Sequence, residues 1–133
     1  RIAVGGPAKE DPYMLSAIGE AMAEIRSSRA TMLYNIDEMF DIVSSGKEVS
    51  MEMRANGRRD QVRGTWRAVR AVNEIFTRCG ATALHKKFPM HRFWRDANCG
   101  LNHAVFTTGP IYHASTSMAM GTASPELMAK AIL

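Results

Sequence analysis

Within residues 87–106, KFPMHRFWRDANCGLNHAVF, the side chains of Arg92, Asp96, Cys99 and His103 follow one another at steps of three and four. On a helix that spacing stacks side chains on one face. Asp96 can pair with Arg92 or Arg95, and an imidazole at His103 is suited to proton traffic near neutral pH. Small residues at Cys99 and Gly100 leave room beside that imidazole for a planar ligand or a close helix. The same spacing also fits a plain alternative, in which Arg/Asp pairs and a His solvate the outer face of a bundle.

Other candidates carry less. The stretch RCGATALHKKFP before this helix contains Gly80, and its backbone N–H groups with the next helix N-terminus could hold a phosphate. An ordinary helix stop explains Gly80 equally well. Arg54, Arg58, Arg59, Arg63, Arg67 and Arg70 read as a solvated face. Four histidines (His85, His91, His103, His113) and two cysteines (Cys79, Cys99) show no metal-ligand spacing, so no metal site is expected. Ser115 and Ser117 lack any nucleophile pattern, and the ten methionines read as core filler.

The chain that must position these groups has 133 residues, 46% hydrophobic and 23% charged, which is one globular domain. A net charge of +4 is spread among acids and comes with no nucleic-acid motif, so no nucleic-acid partner is expected. No apolar run approaches the roughly 20 residues that span a bilayer, and no membrane association is expected. Two cysteines make no disulfide framework and favour a reduced, cytoplasmic setting.

Residues 1–11 form a Gly/Pro-rich lead-in. Asp11-Pro12 then starts a helix whose apolar seam, Leu15, Ile18, Met22, Ile25, Met32, Ile36, Met39 and Val43, alternates steps of three and four and is interrupted only by Arg29. Gly46 stops it. A second helix is expected from about 50 to 78, with an apolar stripe through Val62, Trp66, Val69 and Phe76 and a polar first half holding two glycines. A third is expected over 88–107, followed by a tail, 108–133, in which Ser124-Pro125-Glu126 starts a short last helix. With no useful β alternation, the fold class is all-α, an antiparallel up-down helical bundle. A first helix roughly 50 Å long cannot hide its whole seam behind two neighbours, so an upstream helix, an oligomer or both are expected.

The order of these elements, together with Gly80-Ala81-Thr82-Ala83-Leu84, Pro89, Arg92, Trp94, Arg95, Asp96 and His103, resembles the C-terminal domain of the acyl-CoA dehydrogenase superfamily. The likeness covers about residues 12–107 and is most specific at 79–104. It is nearest to the oxygenase components of two-component flavin monooxygenases. The resemblance implies a longer three-domain chain, of which residues 1–133 are the C-terminal bundle, assembled as a homotetramer. It implies reduced FMN or FAD, delivered by a separate NAD(P)H:flavin reductase, with molecular oxygen as co-substrate. A small aromatic substrate would be hydroxylated through a C4a-hydroperoxyflavin.

By the same resemblance His103 is the catalytic residue, and Gly80, Ala81, Thr82, Arg92 and Arg95 approach the flavin. The isolated bundle would be inactive. Two other readings stand beside this one: an FAD-dependent acyl-CoA dehydrogenase, disfavoured because AVFTTGPIYHAS after His103 holds no acid, and a non-enzymatic helical oligomerisation module.

Overall fold

A computed structural model of the chain describes residues 8–132. Helix α1 spans Pro12–Ser44. Its start is set by Asp11, whose carboxylate accepts from the Tyr13 N–H at 2.9 Å, with Pro12 at the first helical position, where its missing N–H is no loss. Its end is set by Gly46, at φ 77°. There the Gly46 N–H donates to Val43 O and the Lys47 N–H to Ile42 O, closing off two terminal carbonyls in a conformation that glycine adopts without steric cost. Helix α2, Met51–Arg78, is capped by Ser50, whose hydroxyl accepts from the Met53 N–H. Both helices have the bounds expected from the sequence.

The face of α1 that packs on α2 lies one residue aside from the expected seam. Met14, Ala17 and Ala21 are buried, and Glu24, Ser28, Asn35, Met39 and Ile42 are half-buried along the same stripe. The expected seam residues Leu15, Met22, Ile25, Met32, Ile36 and Val43 are exposed. Gly64 of α2 accounts for the offset around Ser28, since a Cβ there would stand 3.2 Å from Ser28 Cβ. Bare backbone at that position lets α1 approach with a small residue. At Gly57 a Cβ would stand 2.6 Å from Met39 Cε, and the space is filled by the tip of Met39, a seam residue that does turn inward. Polar contacts cross the same interface, from Arg67 to Glu24 and from Asn35 to Asp60 at 3.3 Å.

On its other side α2 is lined by two helices laid end to end, α3 (Pro89–Leu101) and α4 (Thr108–Ala119). Paired contacts run in opposite directions along the two strands of chain. Phe76 stacks on Trp94 at 4.7 Å, Asn73 bonds Asn98, Trp66 reaches Phe106, and Ala55 packs on Ala114. The fold is therefore three antiparallel rods with α2 in the middle, the third rod broken between α3 and α4. Helix α5, Pro125–Ala131, starts on the Ser124 cap and returns to the core, where Met128 joins Ala55 and Ala114.

Two expectations are corrected here. The third helix ends at Leu101 rather than near residue 107, followed by one 3-10 turn, Ala104–Phe106. Residues 108–119, expected as tail, form α4, with Ile111, Ala114 and Ser115 buried. Among the described residues no helix is long and apolar enough to cross a membrane.

Candidate active site

The break in the third rod is where His103 stands. Asn102 is the last αR residue and His103 is extended, φ −67° and ψ 138°. Its Nδ1 accepts from the Val105 N–H at 3.2 Å. A side chain that bonds its own downstream backbone offers the chain an alternative to another helical turn, and Gly100 and Asn102 on the upstream side are poor helix formers. His103 thus leaves the face shared by Arg92, Asp96 and Cys99, which contradicts the expected helical line of four. The ring is exposed. With Nδ1 as acceptor, the neutral imidazole carries its proton on Nε2.

Opening a helix leaves backbone groups without partners. Here they are met from α2. The Trp66 indole N–H donates to Phe106 O at 2.9 Å, and the Arg58 guanidinium donates to Val105 O at 2.5 Å while also holding Gln61. From the sequence, Arg58 is expected on a solvated face and Trp66 in a core stripe; the structure gives both a defined acceptor. A half-exposed Trp with an N–H to satisfy is a general sign of a specific acceptor, although spacing alone does not say which carbonyl it finds.

The remaining expected site residues lie elsewhere. Gly80, at φ 67°, turns the chain out of α2 into the 3-10 turn Ala81–Leu84, where Ala83 is buried and Ala81, Thr82 and Leu84 are exposed. Thr82, His85, Lys86, Lys87 and Phe88 line an open cleft of about 600 Å³. On α3, His91, Trp94 and Asn98 turn toward α2, while Arg92, Phe93, Arg95 and Asp96 face outward. Of the two pairings open to Asp96, the structure has Arg95, with Nε and Nη2 donating at 3.0 and 2.9 Å. The Arg92 guanidinium lies over the Phe93 ring at 5.3 Å.

The 80–84 turn and Arg92 sit toward one end of α3 and His103 beyond the other. At 1.5 Å per residue the helix separates them by about 20 Å. The structure does not bring them together within one chain. The cleft fits a flavin in its chemistry, with exposed Phe88 for a flat ring, two ammonium groups for phosphate and the Thr82 hydroxyl, but it is open to one side. Among the described residues no group of His, Cys, Asp and Glu is arranged to hold a metal ion.

A family model described as acyl-CoA dehydrogenase, C-terminal domain, matches residues 1–108. The chain belongs to that family. Within it, the chain is 47% identical over 124 residues to a pigment production hydroxylase of Rhodococcus erythropolis, covering 93% of this chain and 31% of that protein. It is 40% identical over 101 residues to the flavin-dependent monooxygenase oxygenase subunit HsaA of Mycobacterium tuberculosis, covering 76% of this chain and 26% of that protein. The crystal structure of the 3-HSA hydroxylase from Rhodococcus sp. RHA1 superposes with a TM-score of 0.85 at 34% identity, over 95% of this chain and 33% of that one. This acyl-CoA dehydrogenase-type domain spans about a third of the length of the relatives it matches.

Proposed function

We propose that this domain is the C-terminal part of the oxygenase component of a two-component monooxygenase, which hydroxylates a small aromatic substrate with molecular oxygen and reduced FMN or FAD. The observation that carries the reading is the 47% identity to a hydroxylase along 93% of the chain. Gly80, Ala81, Thr82, Arg92 and Arg95 would hold the flavin, which when bound supplies the activation of oxygen. A separate NAD(P)H:flavin reductase in the cytoplasm would deliver it reduced.

His103 would meet the substrate. Its outward Nε2–H makes it a hydrogen-bond donor to a substrate hydroxyl or phenolate oxygen, fixing which ring carbon faces the oxidant. To act instead as a base, the ring would have to release the Val105 N–H and move its proton to Nδ1. Because the flavin-facing turn and His103 lie at opposite ends of α3, each site would be completed by upstream domains and by a neighbouring subunit. The exposed seam of α1 supports a homotetramer, since apolar residues repeating every three and four positions bury most economically against another helix.

The test uses the full-length protein, mixed anaerobically with reduced FMN or FAD and a panel of phenols, then with oxygen. Hydroxylated product that depends on the reduced flavin is the expected result. Bound oxidised FAD that is bleached by an acyl-CoA, with no hydroxylation, would overturn the proposal in favour of a dehydrogenase.

A further inference from the structure

We infer that Arg58 and Trp66 are positioning residues for His103, acting together as a clamp on the break in the third rod. The inference rests on the reading of His103 given above. Three hydrogen bonds converge on two adjacent residues. The Val105 N–H donates to His103 Nδ1, the Val105 carbonyl accepts from Arg58, and the Phe106 carbonyl accepts from the Trp66 indole. Val105 is thus held on both sides of its backbone, and the group that orients the imidazole is itself fixed by α2.

Each partner suits its task. The indole N–H is a single directed donor on a rigid ring with only two side-chain torsions, so little freedom is lost in holding one carbonyl. The Arg58 fork spends one arm on Gln61, which sets the plane of the guanidinium, and the other on Val105. Arg58 and Trp66 are two turns apart on α2 and present their donors to one side of it. Neither touches the imidazole. Their effect passes along the backbone through the Val105 Cα, from the carbonyls of Val105 and Phe106 that they hold to the Val105 N–H that occupies Nδ1.

The clamp also meets a need that the chain itself creates. A helix continued through 102–107 would offer the Phe106 carbonyl only Pro110, which has no N–H and whose ring would meet that carbonyl, so the rod must break here and the Trp66 indole stands in for the missing donor. In this way α2 holds the shape of the break and the aim of its imidazole.

The test uses the full-length protein with Trp66→Phe, Arg58→Ala, Arg58→Lys and His103→Ala, followed by amide hydrogen exchange of peptides covering 102–107 and by hydroxylation kinetics. Loss of either donor should speed exchange in 102–107 by about five- to tenfold, with α1 peptides unchanged. It should lower kcat by a similar factor, and KM should stay within about twofold. Arg58→Lys, which keeps a donor, should restore most of both.

Unchanged exchange in Trp66→Phe and Arg58→Ala overturns the clamp, whatever His103→Ala does. Faster exchange with unaltered kcat, where His103→Ala does lower it, overturns the positioning role. If His103→Ala itself leaves hydroxylation intact, the role proposed for His103 fails, and exchange alone then shows whether the clamp exists.

Discussion

Asn73 of α2 and Asn98 of α3 face each other and exchange amide hydrogen bonds, Asn98 Nδ2 to Asn73 Oδ1 at 2.9 Å and Asn73 Nδ2 to Asn98 Oδ1 at 3.4 Å. Asn98 Nδ2 also donates to Trp94 O. The pair sits one turn from the Phe76–Trp94 stack and fixes the register of α3 against α2. It therefore sets where along α2 the break at His103 falls.

Removing one amide of this pair strands the other in a half-buried position. Asn98→Ala is expected to destabilise the domain by about 1–3 kcal/mol, and the double variant Asn73→Ala/Asn98→Ala by less than the sum of the two single changes. Chemical denaturation of the four proteins measures it. Strict additivity would mean that the two amides do not act as a pair.

The two glycines of α2 should respond oppositely to a side chain. Gly64→Val places a branched Cβ 3.2 Å from Ser28 Cβ, close to α1 backbone with little room to give, and should cost about 1–3 kcal/mol. At Gly57 the nearest atom is the tip of Met39, which can swing aside. Gly57→Ala also gains up to about 1 kcal/mol of helix propensity, so its expected effect is neutral to stabilising. Thermal unfolding of both variants separates the cases.

The exposed seam of α1 yields a prediction about assembly. Ile25 and Ile36 are 44% and 52% exposed, so about half of each side chain is open to a neighbouring subunit. Ile25→Glu with Ile36→Glu should lower the mass measured by sedimentation while leaving the helical circular dichroism unchanged. A mass equal to that of the parent protein would mean that the seam is not the contact between subunits.

Much of the scaffold was legible because its signals are local. Asp11-Pro12, Gly46, Ser50 and Ser124-Pro125 each act within one turn, and each ends or starts a helix where the structure has it. The face of α1 that packs inward was not legible. Helical periodicity marks an apolar stripe, but Gly64 on another helix decides that the small Ser28 packs against α2. The break at 102–107 had local signals in Gly100, Asn102, Gly109 and Pro110, but the donors that hold it were hidden, since Trp66 and Arg58 lie more than thirty-five residues upstream of the carbonyls they meet. Helix α4 was missed because Gly109, Pro110 and the Ser/Thr content of 107–117 read as loop. The spacing of Ile111, Ala114, Ser115 and Met118 was the signal for it.

The chemistry of His103 can be read from how much is lost when it changes. A hydrogen bond donated to a charged oxygen is worth about 1.5–3 kcal/mol, or roughly 10- to 100-fold in rate. General-base catalysis commonly contributes about 10²- to 10⁴-fold. Since Nδ1 is taken by the Val105 N–H, the donor role is expected. His103→Ala should then lower kcat by about 10- to 100-fold, and His103→Gln, whose amide can still donate, should recover most of that loss. The kinetics are measured on the full-length protein with saturating reduced flavin. A loss near 10⁴-fold that glutamine does not relieve would instead mean that the imidazole removes a proton, and that the Val105 contact opens during turnover.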